Sequence, residues 1–332
     1  MKLSRNYGVL IGARLLSGFA TSLLFSAFEA WYVHEHIETH DFPKEWIQLT
    51  TKKSTLLNGL LAILAGLIAT LVAEWANFGP IAPFMCAIPC LLAASVYIAL
   101  FWDENFSTQA KSSIQKSFKA ALREIFTEPK IFVIGAIQSL FESVMYIFVF
   151  IWTPILKPTN PPLGVVFSCF MICIMLGSGL NQLLTHKQMP ATNQLGFAIA
   201  VALLANLTCV MATHPSVPHH LLAFFAFLAF ETAVGVYYPT MNFLCVRIIP
   251  EAHRRSIVNC FRLPLNLIAC AVLMMLHNHM FQHGNRLIFV TCCALLGVAA
   301  LLVAKLVAYT KDDVTAMRDR MSLDEEQLLT VR

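Results

Sequence analysis

Nine long apolar stretches occupy most of this chain, and they limit what it can fold into. They lie near residues 7–31, 55–76, 80–102, 131–156, 163–184, 191–213, 219–244, 256–276 and 286–309. A helix that crosses the hydrocarbon core of a bilayer needs about 20 mostly apolar residues, and each stretch is long enough. We therefore predict an all-α polytopic membrane protein with nine transmembrane helices.

The composition excludes a water-soluble fold. Hydrophobic residues make up 58% of the 332 positions, charged residues only 13%, and the mean hydropathy is +0.67. A soluble domain of this length needs much more polar surface. The net charge of +4 arises in short loops rather than on one amphipathic face, so we expect no nucleic acid partner. We also expect no enzymatic activity, no cofactor and no bound metal.

Basic residues in the loops indicate the orientation, because Lys and Arg are retained on the cytoplasmic side. With the N-terminus outside, the outer loops hold four of the 23 Lys and Arg residues and the inner loops hold 16. The other three, Arg14, Arg262 and Lys305, fall inside predicted spans. We predict a multi-pass protein of the plasma membrane, with the N-terminus outside and the C-terminus in the cytoplasm.

One long polar interval divides the chain. Residues 1–102 are predicted as the remnant of an N-terminal half with three spans, and 103–130 as a cytoplasmic central loop. Residues 131–309 are predicted as a six-helix C-terminal half, and 310–332 as a cytoplasmic tail. Three spans followed by six correspond to helices four to twelve of a twelve-helix protein built from two six-helix halves. We therefore expect the first three helices to be absent.

A Phe-Glu pair interrupts three of the apolar stretches. The pairs are Phe28-Glu29, Phe141-Glu142 and Phe230-Glu231. An ionised carboxylate at membrane depth costs about 2.5–3.5 kcal/mol on insertion scales, so such groups usually face a wet cavity or a partner. Three carboxylates in the same setting predict a shared functional face.

Each glutamate is part of a stripe of polar or small residues that recur at helical spacing along its span. In the first span the stripe contains Arg14, Gly18, Ser22, Ser26 and Glu29. In the fourth span it contains Gln138, Glu142 and Tyr146, and in the seventh it contains Glu231, Tyr238 and Asn242. These stripes predict a solute path. A structural role remains open, in which Arg14 and Arg262 pair with the glutamates and hold the two halves together.

Small residues inside the spans are interpreted as packing positions. Gly177 and Gly179 in the fifth span permit close contact with a neighbouring helix. The ten cysteines are scattered through the spans, with no pair in the outer loops that would indicate a disulfide.

Several segments together resemble a known family. They are "GARLLSGFATSLLFSAFEAWYVHEH" (12–36), "HDFPKEW" (40–46), "FGPIAPF" (78–84), "IQSLFESVMYIFVFIWTPIL" (137–156), "VRIIPE" (246–251) and "NCFRLPLNL" (259–267). In this order and spacing they resemble the molybdate-anion transporters of the major facilitator superfamily, and the likeness covers nearly the entire chain. Gly12-Ala13-Arg14 with Gly18 is similar to an Arg-containing motif of the superfamily's fourth helix. "PEAHRR" (250–255) is similar to its loop between helices ten and eleven.

The resemblance implies a major facilitator-type helical bundle that transports molybdate or a related oxyanion by alternating access. In that superfamily the first, fourth, seventh and tenth helices line the central cavity, and the three Phe-Glu pairs fall on the equivalents of the last three. An oxyanion prefers Arg to carboxylates, so Arg14 and Arg262 are the predicted anion ligands. The glutamates are predicted to carry protons. The full set of predicted binding residues is Arg14, Glu29, Gln138, Glu142, Tyr146, Glu231, Tyr238 and Arg262.

Two alternatives belong to other functional classes. A truncated chain would bind or regulate another membrane protein without transporting, which makes membrane proteins its partners. A membrane di-iron enzyme would use "HEHIETH" (34–40) and "HNHMFQH" (277–283), which share the pattern H-x-H-x-x-x-H. The predicted topology disfavours the enzyme, because it places the two histidine clusters on opposite sides of the membrane.

Overall fold

The computed structural model of the protein describes residues 6–103, 114–214, 219–250, 253–275 and 284–330. Within these residues the chain forms helices and short connections, without a β-strand. The helices are α1 (Tyr7–His34), α2 (Lys44–Thr70), α3 (Ala82–Phe101), α4 (Ile114–Thr127), α5 (Pro129–Leu156), α6 (Leu163–His186), α7 (Ala191–Ala212), α8 (His220–Ile248), α9 (Arg254–Met275) and α10 (Gly284–Thr330). The predicted all-α architecture is confirmed.

The predicted spans correspond to these helices with small shifts at their ends. In the described part of the chain, eight helices are long and apolar enough to cross a membrane. The remaining predicted span forms α1, of which Tyr7–Thr21 is a shorter apolar segment. Helix starts follow ordinary capping chemistry. The Asn6 side chain accepts a hydrogen bond of 2.9 Å from the backbone N–H of Gly8, and Pro129 occupies the first turn of α5.

Two helical segments differ from the sequence-based expectation. The predicted central loop contains α4, whose Ala121 and Ile125 are buried while Phe118 and Arg123 are exposed. An amphipathic helix of this kind has too little hydrophobicity to be recognised as a span. The second is α10, which continues through the predicted tail for 47 residues in all. Its length of about 70 Å is more than twice the thickness of a bilayer core.

The chain separates into two compact units. The first comprises Met1–Leu60 and Pro83–Ala110, and the second comprises Leu61–Ala82 and Lys111–Arg332. In the first unit the indole rings of Trp31 and Trp102 stack with centroids 3.7 Å apart. The indole N–H of Trp31 also donates to the backbone carbonyl of Asp103 at 2.9 Å. This contact ties the end of α1 to the end of α3.

In the second unit, the last turns of α2 pack tightly on α6. Gly66 and Gly164 approach so closely that a Cβ on either would overlap the other's backbone. The Ser168 hydroxyl donates to the carbonyl of Ile63 at 2.9 Å. Beyond them the chain forms a π-helical turn, Leu71–Trp75, and the Glu74 carboxylate accepts from the backbone N–H of Leu163 at 3.2 Å. Small residues therefore permit the contact, and the side-chain hydrogen bonds fix its register.

A second glycine contact joins α6 to α8. A Cβ at Gly177 would overlap the carbonyl oxygen of Thr232 and lie 2.9 Å from the Cα of Gly235. A Cβ at Gly179 would meet no atom of the described residues within 4 Å. The prediction of close helix packing is thus confirmed for Gly177 and wrong for Gly179.

A buried polar network holds the α6–α7 hairpin against α8. The Asn181 amide donates to the side-chain oxygens of Gln194 and Thr240, each at 2.7 Å. The Gln194 amide donates in turn to the carbonyl of Met189 at 2.8 Å and to the hydroxyl of Thr185 at 3.3 Å. A buried amide is tolerated in an apolar core only when its hydrogen bonds are made within the protein.

Two residues of the "PEAHRR" segment, His253 and Arg254, anchor the start of α9 to its neighbours. Arg254 donates to the carbonyls of Val246 and Ile249, at 3.0 and 3.2 Å, and so caps the end of α8. The imidazole of His253 lies 2.9 Å from the Glu124 carboxylate of α4. The loop thus holds the amphipathic helix α4 against the bundle.

The glycine contact generates a stability prediction. We expect Gly177→Ala to lower the stability of the protein by about 1–3 kcal/mol, because the added methyl group overpacks the α6–α8 contact. Gly179→Ala is the matched control on the same helix. It should leave stability unchanged or raise it by up to about 1 kcal/mol, since Ala is the better helix former. Melting temperatures of the purified proteins in detergent measure both, and equal shifts would contradict the packing geometry.

Candidate functional site

The polar stripe predicted on α5 is present in the structure. Gln138 is buried, Glu142 is partly buried, and Tyr146 is 51% exposed. The Gln138 side-chain N–H donates to Oε1 of Glu142 at 3.0 Å. The two residues are four positions apart, so their side chains lie one above the other on the helix. The stripe therefore runs from the packed interior to an accessible surface within one helix.

The neighbouring helix α8 contributes a second donor, Tyr237. Its side chain is fully buried and stacks on the ring of Phe141, with centroids 3.9 Å apart. Its hydroxyl lies 3.4 Å from Oε1 of Glu142, a long hydrogen bond. Helical spacing singled out Tyr238 and missed Tyr237. The sequence shows two adjacent tyrosines, Tyr237 and Tyr238, but does not tell which of them faces Glu142. Packing on Phe141 turns the ring of Tyr237 inward.

The Phe-Glu pairs have a structural explanation on α5 and α8. Phe141 and Phe230 are both buried and their rings lie nearly parallel, with centroids 6.3 Å apart. Each phenylalanine anchors its helix in an aromatic core, and the following glutamate is then about 100° further around the helix. The pair therefore places a carboxylate beside a rigid apolar contact.

Two further predicted residues, Tyr238 and Arg262, interact with Glu142 without a direct contact. The Tyr238 hydroxyl is within electrostatic range of both Glu142 and Tyr146, and its side chain is 43% exposed. Arg262 lies on α9 with an exposed side chain, and its charge attracts the Glu142 carboxylate. No direct ion pair joins these two described groups. The arrangement is a carboxylate with two hydrogen-bond donors and a cation of α9 within electrostatic range.

Glu231 occupies a different environment on α8. Its side chain is only 7% exposed, and no hydrogen bond to it is present among the described residues. Cys173 of α6 and Tyr238 are within its electrostatic range. Glu231 is therefore more enclosed than Glu142 and lacks donors of the kind that Gln138 and Tyr237 supply.

The two predicted residues of the first span lie in the other compact unit. Arg14 is exposed on α1. Glu29 lies within the helical range of α1, but its side chain is outside the described part of the structure. The structure thus groups Gln138, Glu142, Tyr146, Tyr238 and Arg262 together, with Glu231 nearby, and the roles of all eight residues stay predictions.

One buried acceptor of this group has no partner. Oε1 of Gln138 forms no hydrogen bond within the described residues, although it is shielded from solvent. Its amide nitrogen is the atom that contacts Glu142. An amide offers a donor and an acceptor at almost the same place, and rotation about its last side-chain bond exchanges them. Gln138 can thus serve a carboxylate that changes protonation state.

The histidine clusters show a different arrangement. His36 is buried, with its ring nitrogens 3.4 Å from the Tyr32 hydroxyl and 3.0 Å from the carbonyl of Pro43. The side chain of His40 lies 3.6 Å from the Glu35 carboxylate. In the part of the chain that the structure describes, no group of three His, Cys, Asp or Glu residues is placed to hold a metal ion. The second cluster, at 277–283, lies outside the described residues.

A cavity of about 870 Å³ lies at the ends of α4, α5, α7 and α8 and beside the middle of α10. Basic and acidic side chains both line it, including Arg123, Arg247, Glu124 and Glu128. None of the predicted binding residues contributes to its wall. Mixed charges disfavour a small dianion there, and we do not assign the cavity to the predicted site.

Known proteins resemble this chain over most of its length. Residues 1–231 match the family described as sugar transporters with 12 transmembrane helices. The chain is 41% identical over 314 residues to the molybdate-anion transporter of Xenopus laevis, covering 94% of this chain and 69% of that protein. The molybdate-anion transporter of Takifugu rubripes is 38% identical over 343 residues, which cover 94% of this chain and 72% of that protein.

The molybdate-anion transporter of Danio rerio is 37% identical over 356 residues, which cover 98% of this chain and 74% of that protein. Identity of this level over so much of both chains requires a shared fold. The helical architecture and the apolar spans described above agree with it. The chain therefore belongs to the molybdate-anion transporter family of the major facilitator superfamily.

Proposed function

We propose that this protein transports molybdate or a related oxyanion across a membrane by alternating access. In that mechanism a central site opens to each side of the bilayer in turn. The observation that carries the proposal is the Glu142 carboxylate held by hydrogen bonds from α5 and α8, with Arg262 of α9 within its electrostatic range and not in a direct ion pair with it. The names of the relatives support molybdate as the first substrate to test.

Arg262 is the proposed anion ligand within this cluster. Its guanidinium is exposed and is not consumed by a direct ion pair with Glu142. A planar guanidinium donates two parallel hydrogen bonds to adjacent oxygens of an oxyanion, and it stays charged at all physiological pH values. Arg14 on α1 is the second proposed ligand, on the basis of its place in the polar stripe of the first span.

Glu142 is the proposed proton carrier. An ionised Glu142 repels a dianion that approaches Arg262, and protonation removes that repulsion. The other titratable side chains around it are the phenols of Tyr237 and Tyr238 and the thiol of Cys245, and both phenols and thiols titrate above neutral pH in water. Glu142 is thus the group of this cluster suited to exchange a proton in the physiological range.

Gln138 supports both protonation states of Glu142. With the glutamate ionised, the amide N–H donates to Oε1, as in the structure. With the glutamate protonated, rotation of the amide presents Oε1 of Gln138 as the acceptor for the new O–H group, and that oxygen has no other partner in the described residues. The proton would therefore not leave an unsatisfied polar group in the helix bundle.

The remaining residues and the topology complete the proposal. Glu29, Tyr146, Glu231 and Tyr238 are proposed to line the solute path. The protein is proposed to reside in the plasma membrane with an outside N-terminus, the segment 103–130 and the tail 310–332 being cytoplasmic. A purely regulatory role without transport is not favoured, because nearly the whole chain matches proteins named as transporters.

Replacing an arginine by lysine tests the anion site. We expect Arg262→Lys and Arg14→Lys each to raise the half-saturation concentration for molybdate about tenfold, which corresponds to about 1.4 kcal/mol, because lysine keeps the charge but loses the planar fork. Uptake into proteoliposomes gives the measurement. Arg286→Lys makes the same chemical change at an exposed position outside the cluster and should have no effect. Unchanged affinity in both site variants would assign these arginines a structural role.

The proposed proton carrier is tested with Glu142→Gln. Since protonation strengthens dianion binding, uptake by the wild type should increase as the pH falls. Glutamine is neutral at every pH and still accepts the hydrogen bonds of Gln138 and Tyr237. We therefore expect normal delivery to the membrane and uptake that hardly changes between about pH 5 and 8.

Glu231→Gln serves as the comparison for that experiment. It removes a second buried carboxylate, one without hydrogen bonds to the cluster, and we expect the wild-type pH dependence to remain. A structural role for Glu142 would appear instead as misfolding, because glutamine replaces the charge-assisted hydrogen bonds from Gln138 and Tyr237 with weaker neutral ones. Normal delivery of Glu142→Gln with the wild-type pH profile would exclude both roles.

The orientation is tested with epitope tags in intact cells. We expect tags placed after Arg332 and within 103–130 to be protected from antibody, and a tag between His214 and His219 to be accessible, because basic loops are retained in the cytoplasm. Permeabilised cells provide the control that every tag can be detected. Access to 103–130 from outside would contradict the proposed topology.

A further inference from the structure

Two serines of α5 reach across to the backbone of α9. The Ser139 hydroxyl lies 3.0 Å from the carbonyl oxygen of Phe261, and the Ser143 hydroxyl lies 3.2 Å from that of Leu265. Both serines are buried. Each also contacts a carbonyl one turn earlier on its own helix, Gly135 for Ser139 and Ser139 for Ser143. A hydroxyl has a single proton, so each serine shares it between a carbonyl of its own helix and a carbonyl of α9 in a three-centre hydrogen bond.

A proline interrupts the backbone hydrogen bonding of α9 next to these contacts. Pro264 lies inside α9 and has no N–H, so the carbonyl of Cys260 loses its helical partner. The two serines donate to the carbonyls of Phe261 and Leu265, which lie on either side of Pro264, and not to the freed carbonyl of Cys260. The close approach depends on Gly135, where a Cβ would overlap the ring of Phe261. A glycine and two serines thus bring α5 against the weakened part of α9.

The two charged residues of the cluster lie between these anchors. On α5, Glu142 is between Ser139 and Ser143, and on α9, Arg262 is between Phe261 and Leu265. The two anchors are one turn apart on each helix and run in the same direction, since both bonds join residues separated by 122 positions. Because the two contacts repeat at the same spacing on both helices, together they define the register of α9 along α5. A slip of one turn would move Arg262 by about 5.4 Å.

We propose that Ser139 and Ser143 are positioning residues that fix the register of α9 against α5 and thereby set the separation between Arg262 and Glu142. This inference rests on the proposed function, in which an oxyanion binds Arg262 beside Glu142. The attraction between the two charges pulls them together, and a direct ion pair would occupy the guanidinium. Backbone anchors resist that collapse because they hold the helices rather than the flexible side chains.

The transport test uses the Ser139→Ala, Ser143→Ala double variant of the full chain in proteoliposomes. We expect the half-saturation concentration for molybdate to rise about three- to tenfold, with little change in the maximal rate per correctly assembled protein. The matched control is Ser168→Ala, which removes an equally buried serine bond of 2.9 Å to a backbone carbonyl on another helix pair, α6 with α2. It should leave the half-saturation concentration unchanged.

A second measurement is independent of transport. Melting temperatures of Glu142→Gln, Arg262→Gln and the combined variant give the coupling between the two residues, and the same set is repeated in the double-serine background. We expect the non-additivity to change when the serines are absent, because the separation of the charges changes. Unchanged coupling together with a half-saturation concentration equal to that of Ser168→Ala would overturn the inference.

The two proposals fail in different ways. A wild-type protein that neither binds nor moves molybdate, tungstate or sulfate would contradict the proposed function, while the melting-temperature cycle would still decide the positioning role. Normal wild-type transport with no effect of the serines on affinity or coupling would leave the proposed function in place and remove the positioning role.

Discussion

The absence of water from the bilayer core is the constraint on which the rest of this structure depends. Backbone groups must find their partners within the protein, so the chain forms helices wherever it crosses, and polar side chains inside the spans must pair or reach a cavity. Many large apolar side chains are exposed, such as Leu15, Leu204 and Leu301. Exposure that would destabilise a soluble protein is what a lipid-facing surface requires.

Because lipid is as apolar as leucine, helix association in this protein relies on close contact and hydrogen bonds rather than on hydrophobic burial. Glycines open three such contacts: Gly66 with Gly164, Gly177 with Gly235, and Gly135 with the ring of Phe261. Hydroxyl and amide groups then fix the register, through Ser168, Ser139 and the Asn181 network. Each contact pairs a permissive small residue with a directional bond, which specifies one arrangement of the helices.

The proposed site follows from the same constraint. A carboxylate inside a helix bundle is stable only with donors nearby, and Glu142 has two, from Gln138 and Tyr237. Arg262 is held near it without neutralising it directly. When a carboxylate and a guanidinium do not form an ion pair, each can bind another partner. The carboxylate can bind a proton, and the guanidinium can bind an oxyanion. In the proposed mechanism this separation lets both groups take part in transport, whereas two groups in a closed ion pair would serve only the structure.

Several features were decided by the sequence alone. Hydropathy and length are local properties, so the helices and the all-α class could be predicted without knowing which helices touch. The intrusion of Gln138, Glu142 and Arg262 into apolar spans was equally visible, because a polar residue at membrane depth is costly wherever the helix packs. The amphipathic helix α4 was not visible, since its apolar residues form one narrow face and the segment as a whole is polar.

Only the tertiary structure decided how these residues meet. Helical spacing favoured Tyr238 over Tyr237, yet packing on Phe141 turns Tyr237 toward Glu142. Gly177 and Gly179 look alike in the chain, but only Gly177 faces α8. The serine bonds from α5 to α9 join residues 122 positions apart, and no local pattern encodes such a partner. Periodicity assigns a residue to a face of its own helix, but the neighbour of that face is chosen by packing over the whole bundle.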